Sequence, residues 1–538
     1  MLTRPREPLS DAAQRHKQDI STAALSEGRR SIPANDTRLR LPRIELALWC
    51  VALVLFVAFN AAISLDLQPV WLDEVTVADP AVNLYLGKGF TSTGWQYQTK
   101  EEFWASNAPL HQILLFHWLK LFKLSPLSVR SMNFVLMAGI ILMTWLAVVR
   151  MSLVRTWQGR AAMFALLTCT AGLTFNYCAG RYDCIGILLC VTIFFGFSLQ
   201  KEWQRWGTMV AAATFIPLAG VNLLPYVALM GGMCVAMFGL RYVRELGFVV
   251  LGLVIGASFL YMLYATNQVA NVILTSAGGH ALYDVVDKSA AVRDGNTASK
   301  VLYTLTHLPH MLALRLKDLG TWYTHDRSYV LLALFVVGSA VYAFRKRALP
   351  RISVLTFGAA AALLVPFGLG LARNYPFYYS WMSLLPLAIT AGHLVSRRFE
   401  ERSVLWERLA LGGLLVFACY WGMPQRMVRM HQEAELSGPY QRLDAFLAAQ
   451  TKPGDCAYAD FEPYYGLIAR TRYTLLPTYK DMMNETERRE LSLIVVRREN
   501  ADKAQQIVGG EWQKTAELNE PAPYDLVVFR RAHPVAQR

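Results

Sequence analysis

Charge is scarce in this chain. Only 17% of its 538 residues are Asp, Glu, Lys or Arg, 54% are hydrophobic, and the mean hydropathy is +0.28. A soluble protein of this length carries more charge, so an ordinary water-exposed fold is excluded. The chain also lacks any CxxC pair. Cys50, Cys169, Cys178, Cys184, Cys190, Cys234, Cys419 and Cys456 fall almost entirely in apolar runs. No disulfide framework or structural zinc site is therefore expected, and the thiols read as small buried apolar groups. A cleavable leader is not expected, because the first apolar run is long and no small-residue cleavage site follows it. The net charge of +14 comes without a groove-reading motif. Its basic residues sit in short clusters between apolar runs (Arg150, Arg155 and Arg160; Arg345, Lys346, Arg347 and Arg351; Arg397, Arg398, Arg402 and Arg408) rather than in one stripe. Nucleic acid is not an expected partner.

What the chain has in abundance is apolar runs of the length that crosses a hydrocarbon core of roughly 30 Å, about 20 helical residues each. They lie near 44–65, 129–149, 161–177, 182–200, 207–222, 224–240, 246–265, 329–345, 352–372, 376–395 and 404–422. The expected fold is an all-α polytopic membrane protein with about eleven transmembrane helices plus interfacial helices, its basic clusters on the cytoplasmic side. Residues 1–43, polar and Arg-rich, read as a disordered cytoplasmic tail. Two long outer loops are expected at 66–128 and 266–328. Within the first, 81–90 reads as a short amphipathic helix on the membrane surface, and 109–124 as an interfacial or re-entrant helix, since a span there would carry Arg150, Arg155 and Arg160 outside. Residues 423–538 change character: Tyr440–Gln450 reads as a helix, and Cys456–Phe461, Leu491–Arg497 and Asp525–Arg530 as short β-rich runs. They predict a small extracytoplasmic α/β domain following the transmembrane region 44–422.

The polar residues with chemical potential fall at the outer ends of these runs. Asp73 and Glu74 follow the first span. Carboxylates beside hydrocarbon are costly to desolvate, and a pair kept there calls for water, a cation or a reaction. Arg181 and Asp183 occupy an outer turn. Arg373, Tyr375, Tyr378 and Tyr379 stand at the outer end of a late span. The large loop carries His280, Asp284, His307, His310 and His325. Each has a plain alternative: loop acids, a structural ion pair, an aromatic belt. His307 and His310 have ligand-like spacing, but Pro309 weakens a helical metal site. The common face of all these groups suits a reaction between a lipid-borne substrate and a second molecule.

Four stretches carry a family resemblance: Asp73-Glu74; Asn107-Ala108-Pro109-Leu110-His111 running on to Lys120-Leu121-Phe122-Lys123 and Arg130; Gly180-Arg181-Tyr182-Asp183; and Tyr378-Tyr379 followed by Leu384-Leu385-Pro386-Leu387. In order and common face, the chain resembles the membrane glycosyltransferases of the GT-C class, in the branch of the protein O-mannosyltransferases and lipid A aminoarabinose transferases. The likeness is good over about 44–200 and rests on topology elsewhere. It departs from relatives at Asn107-Ala108, where a Lys often precedes a Pro-Pro pair.

The resemblance implies a polyprenyl-phosphate sugar donor, used on the outer face with inversion, and an extracytoplasmic acceptor that is lipid, glycan or protein. Asp73 would be the general base, with Glu74 beside it. Arg181 and Arg373 would bind the donor phosphate, with Asp183 orienting Arg181. Tyr375, Tyr378, Tyr379 and His111 would line the substrate groove. A divalent cation (Mg, Mn or Zn) is admitted, with Asp73, Asp183, His307 and His310 as candidate ligands. The expected location is a bacterial inner membrane, with the N-terminus cytoplasmic. The competing readings are a transporter or lipid flippase, or a non-catalytic envelope assembly subunit. Transport is disfavoured because most spans have no charge near their middle and no inverted repeat is evident.

Overall fold

The computed structural model describes residues 43–67, 69–106, 108–270, 309–310, 313, 316–317, 325–346, 353–372, 377–401, 404–432 and 439–532. The helices are α1 (Arg43–Leu67), α2 (Leu72–Tyr85), α3 (Pro109–Phe122), α4 (Pro126–Arg150), α5 (Trp157–Cys169), α6 (Ala171–Cys178), α7 (Asp183–Gly196), α8 (Glu202–Ala219), α9 (Leu223–Phe238), α10 (Val243–Thr266), α11 (Arg327–Arg345), α12 (Val354–Ala372), α13 (Trp381–Glu400), α14 (Leu405–Tyr420) and α15 (Met423–Gln432). The first turns of α1, through Cys50, form a unit of their own, in which Trp49 donates to Glu45 at 3.1 Å; Val51–Arg538 is the second unit.

A helix covers each of the eleven segments expected to span. Four of them, α1, α4, α10 and α11, are long and apolar enough to cross a membrane. A fifth arises if α5 and α6, bent by 55° at their break, count as one span. These helices mark an integral membrane protein. By length and composition the support is thus for four or five spans rather than eleven. Some of the others fall short in length, α7 having 14 residues, about 21 Å at the α-helical rise; α8 and α13, with 18 and 20 residues, fall short in apolar composition instead.

The local signals explain the boundaries. Ser125 caps α4 by accepting the Ser128 N–H at 3.0 Å, with Pro126 at the first helical position, where its missing N–H costs nothing. Thr156 caps α5 through the Gly159 N–H at 3.3 Å. The segment between the first two apolar runs, expected as an outer loop, departs from expectation. Its helix is α2, beginning at Leu72 rather than near 81, and it is buried rather than laid on a surface: Glu74, Val75, Ala78, Asp79, Ala81, Val82 and Asn83 are all enclosed. Pro80 and the run of acids disguise it. α3 is a short helix, as expected for 109–124.

The C-terminal region holds α16 (Pro439–Gln450), β1 (Cys456–Ala459), α17 (Tyr464–Ile468), β2 (Tyr473–Leu475), α18 (Glu485–Glu490), β3 (Leu493–Arg497), α19 (Ala501–Val508), β4 (Trp512–Leu518) and β5 (Leu526–Arg531). The three expected β-rich runs are β1, β3 and β5; β2 and β4 join them in one sheet of order β2-β1-β3-β5-β4. β1 is parallel to β2 and β3, while β5 is antiparallel to β3 and β4. Alternate residues enter two cores: Tyr458, Ile494 and Val496 pack on one face, and Ala457, Leu493 and Val495 on the other, as the two-residue strand period requires.

This sheet is joined to the helices by a shared apolar core and by polar clamps. Val75, Ala78 and Val82 of α2, Leu115 and Leu119 of α3, and Val129 and Met132 of α4 pack with Tyr464, Tyr465 and Ile468 of α17. The buried Asp79 carboxylate accepts the Ser92 hydroxyl at 2.6 Å, the Thr93 N–H at 2.6 Å, the Gly94 N–H at 3.2 Å and the Tyr464 hydroxyl. Burial raises the Asp79 carboxyl above its ordinary value, opposed by its hydrogen bonds from Ser92, Tyr464 and Thr93. Leu476 N–H donates to the Thr93 carbonyl at 3.2 Å, the Thr478 hydroxyl to the Gly94 carbonyl at 2.6 Å, and Lys100 pairs with Glu487 at 2.6 Å.

At the C-terminal end of β1, Asp460 accepts the Arg497 N–H at 2.8 Å and the Asn500 amide at 2.9 Å. Glu462 follows it, buried, 3.9 Å from Arg497 Nε. Burial pushes the Glu462 carboxyl up from 4.5 to about 7. A carboxyl raised on folding favours the folded state below its unfolded pKa, and that contribution is lost as pH rises through the folded value. Glu462→Gln, neutral throughout, should therefore gain melting temperature over wild type as pH rises from about 5 to about 8. Thermal unfolding in detergent across that range tests it; an offset that does not change with pH refutes it.

Candidate active site

α2 is set in place by its buried acid, Glu74. Consecutive residues on a helix point about 100° apart, so Asp73 and Glu74 face different surroundings. Glu74 turns inward and is fully buried with Arg130 of α4: Arg130 Nε donates to one carboxylate oxygen at 2.9 Å and Nη2 to the other at 2.7 Å. Arg130 also donates to the Ser64 carbonyl at 2.6 Å and the Pro69 carbonyl at 3.0 Å, tying α1 to the start of α2. Burial raises the Glu74 carboxyl, and the Arg130 charge and hydrogen bond oppose it. Gly180, at φ +64°, lies over Glu74, where a Cβ would stand 2.8 Å from Cγ. Only glycine meets both conditions easily.

Asp73 turns the other way, its side chain 29% exposed. It meets Arg181, whose guanidinium bonds Asp73 Oδ2 through Nη1 and Asp183 Oδ2 through Nε at 2.7 Å. The Tyr378 hydroxyl donates to Asp73 Oδ2 at 3.1 Å. Arg181 Nη1 lies 3.3 Å from the Tyr378 hydroxyl and Nη2 3.3 Å from that of Tyr379, with the guanidinium 4.2 Å from the Tyr378 ring centroid. The Tyr379 hydroxyl also meets Tyr182 at 3.1 Å and the Asn222 amide at 3.1 Å. The turn that carries Arg181 is held from outside: Asn133 donates to its carbonyl at 2.7 Å, and Trp71 Nε1 to the Ala179 carbonyl at 3.1 Å. One charged fork thus gathers two carboxylates and two phenols from three parts of the chain.

His111, in the first turn of α3, is fully buried with neither ring nitrogen hydrogen-bonded. Burial, and secondly the Arg181 charge, push it down to about 3, so the imidazole is neutral near pH 7. Asp183 has one buried oxygen without a partner.

Of the expected site residues, the structure brings together Asp73, Arg181, Asp183, Tyr378 and Tyr379. Glu74 is separated from them by its pair with Arg130. Arg373, Tyr375 and His307 lie outside the described residues, and His310 is exposed. Among the described residues no group of three or more His, Cys, Asp and Glu is placed to hold a metal. The Arg181 guanidinium stands between Asp73 and Asp183, so this pair does not fit a shared cation. Arg130, Tyr182, Asn133 and Asn222 were not anticipated as site residues. A signal existed for Arg130, a charge inside an apolar run.

No protein-family model matches the sequence, and no curated protein does. Among the solved structures that share the fold are two of one protein. ArnT from Cupriavidus metallidurans bound to undecaprenyl phosphate aligns with a TM-score of 0.51 at 14% identity, over 91% of this chain and 98% of that one. The same protein in the apo state aligns with a TM-score of 0.52 at 14% identity, over 90% and 98%.

Removing one partner of a buried ion pair strands the other charge, at a cost on the order of 3–5 kcal/mol. Glu74→Ala and Arg130→Ala should each destabilise by that order, whereas the apolar double variant Glu74→Met/Arg130→Met should recover much of the loss. Melting temperatures in detergent give the answer; single variants as stable as wild type would contradict the pairing.

Proposed function

We propose that this protein is an integral-membrane glycosyltransferase that moves a sugar from a polyprenyl-phosphate donor to a hydroxyl of an extracytoplasmic acceptor (lipid, glycan or protein), with inversion. The observation that carries this is the convergence of Arg181 and Tyr378 on Asp73, the one carboxylate of the cluster left partly open. The fold shared with ArnT, a protein solved with undecaprenyl phosphate bound, supports the donor class. By the same reading the chain sits in a bacterial inner membrane, N-terminus inside, with the C-terminal α/β region outside.

In this reaction the acceptor oxygen attacks the anomeric carbon as the bond from that carbon to the phosphate oxygen breaks. The proton passes to Asp73, and the bonding pair leaves with the polyprenyl phosphate. Asp73 suits the base because its oxygen is reachable; Glu74 is sealed against Arg130 and acts by holding α2. The leaving phosphate needs positive charge more than it needs a proton. Arg181 supplies it through a change of balance. While Asp73 is ionised, the guanidinium is shared between two carboxylates; once Asp73 takes the proton, Arg181 is less compensated and turns its charge to the new anion. Asp183 keeps the fork in place meanwhile. Arg373 is proposed as a second phosphate contact. Tyr375, Tyr378, Tyr379 and the neutral His111 line the groove, His111 offering one donor and one acceptor to substrate hydroxyls.

Asp73→Asn tests the reading. Purified wild-type and variant protein are given a panel of radiolabelled polyprenyl-phosphate sugars, with membrane extract as the acceptor source. Both should bind a donor at similar affinity, and only the wild type should transfer it, the variant losing at least a hundredfold, as loss of a general base does (about 10²–10⁴). If well-folded wild type binds no donor, transport or envelope assembly becomes the better account.

A further inference from the structure

Asp326 is one of the buried acids that the chemistry above does not use. It immediately precedes α11 and is fully buried. One oxygen, Oδ1, caps the helix by accepting the Tyr329 N–H at 3.1 Å. The other, Oδ2, reaches away from α11. It accepts the Gly172 N–H at 3.1 Å and the hydroxyl of Ser380, which follows Tyr378 and Tyr379 directly.

Gly172 stands just after the break between α5 and α6, so Asp326 joins three separate elements at one carboxylate. Side chain at Gly172 is excluded: a Cβ there would stand 2.9 Å from Asp326 Oδ2 and inside contact distance of the Ser380 hydroxyl. From the same half-helix, Asn176 donates to the Tyr378 carbonyl at 2.8 Å and to the Gly172 carbonyl at 2.6 Å. Phe175 stacks on the Tyr378 ring, centroids 5.2 Å apart and planes within 7°. Trp71 packs edge-on against Phe175 at 5.2 Å and against Tyr378 at 6.5 Å.

We infer that Asp326 is a positioning residue: through Ser380 and Gly172 it clamps α6 to the turn Phe377–Ser380, and so sets where the Tyr378 hydroxyl meets Asp73. Capping α11 needs only one of its oxygens. The second accepts from the two segments that place Tyr378, so both oxygens of the carboxyl are engaged at once. Asn at 326 keeps a carbonyl for the cap, but its amide nitrogen cannot accept from Ser380 and Gly172. Ser380→Ala removes one of the three bonds and adds no steric change. A general base displaced by a fraction of an ångström loses rate rather than substrate binding. This last consequence rests on the glycosyltransferase reading; the clamp itself does not.

Two measurements separate the clamp from that reading. The first needs no substrate. Full-length protein labelled with 5-fluorotryptophan is observed by ¹⁹F NMR in detergent, the Trp71 resonance being assigned by Trp71→Phe. Asp326→Asn and Ser380→Ala should both shift or broaden the Trp71 signal and leave most other tryptophan signals in place. An unmoved Trp71 signal in both variants overturns the inference, as does a general collapse of all signals in Asp326→Asn with none of the change in Ser380→Ala. The second is a double-mutant cycle on sugar transfer. Asp326→Asn should lower kcat about tenfold with KM unchanged, and should cost little more once Tyr378 is already Phe, because coupled sites are not additive. Equal losses in both backgrounds would reduce Asp326 to a helix cap. Transfer by neither wild type nor variants, with the Trp71 signal shifted, would sink the glycosyltransferase reading and leave the clamp standing.

Discussion

The whole candidate site hangs on a buried ion pair that takes no part in it. Glu74 and Arg130 have no solvent on either side, and two charges in that setting persist only when every strong hydrogen-bonding direction is used. Arg130 does so by reaching carbonyls at Ser64 and Pro69 as well as the carboxylate. The outcome is geometric. α1, α2 and α4 meet at one point, and the rotation of α2 about its axis is decided there. With Glu74 inward, Asp73 has to face Arg181. The partly exposed acid is aimed by the buried one.

Arg181 then organises what α2 presents. Its donors go to Asp73, Asp183 and the hydroxyls of Tyr378 and Tyr379, and the planar fork constrains all four in a way a lysine would not. The aromatic packing of Trp71, Phe175 and Tyr378 closes the other side. A polar cluster walled by rings keeps its electrostatics strong and its geometry stiff, the conditions under which small charge shifts count.

Much of this was legible in the residues. Acids, arginine and tyrosines at the ends of apolar runs are conspicuous, since hydrocarbon penalises them, and Asp73, Arg181, Asp183, Tyr378 and Tyr379 do converge. What was hidden has physical reasons. Asp73-Glu74 reads as a pair, but helical geometry sends its members to opposite tasks, and the helix itself was obscured by Pro80. The break at Thr170 carries neither Pro nor Gly at the point of bending. Asp326 resembles any loop acid ahead of a span, because its role depends on Gly172 and Ser380, distant in sequence. β4 was missed because it is a half-exposed, mixed-polarity strand at the sheet's edge, and the sheet pairing that defines it is not local. The eleven apolar runs all became helices, yet only some combine the length and the apolar composition of a span, a distinction that run-counting does not make.

The Asp79 carboxylate has a bearing on how the molecule is made. Tyr464, which closes the shell of donors around it, lies 385 residues further along the chain. In a growing chain the Asp79 carboxylate has Ser92, Thr93 and Gly94 as donors well before Tyr464 exists. The apolar face of α2, Val75, Ala78 and Val82, waits equally long for Tyr464 and Tyr465. A chain that stops short of the sheet can still pair Glu74 with Arg130, but it leaves Asp79 without the Tyr464 hydroxyl and the apolar face of α2 without its partners from α17.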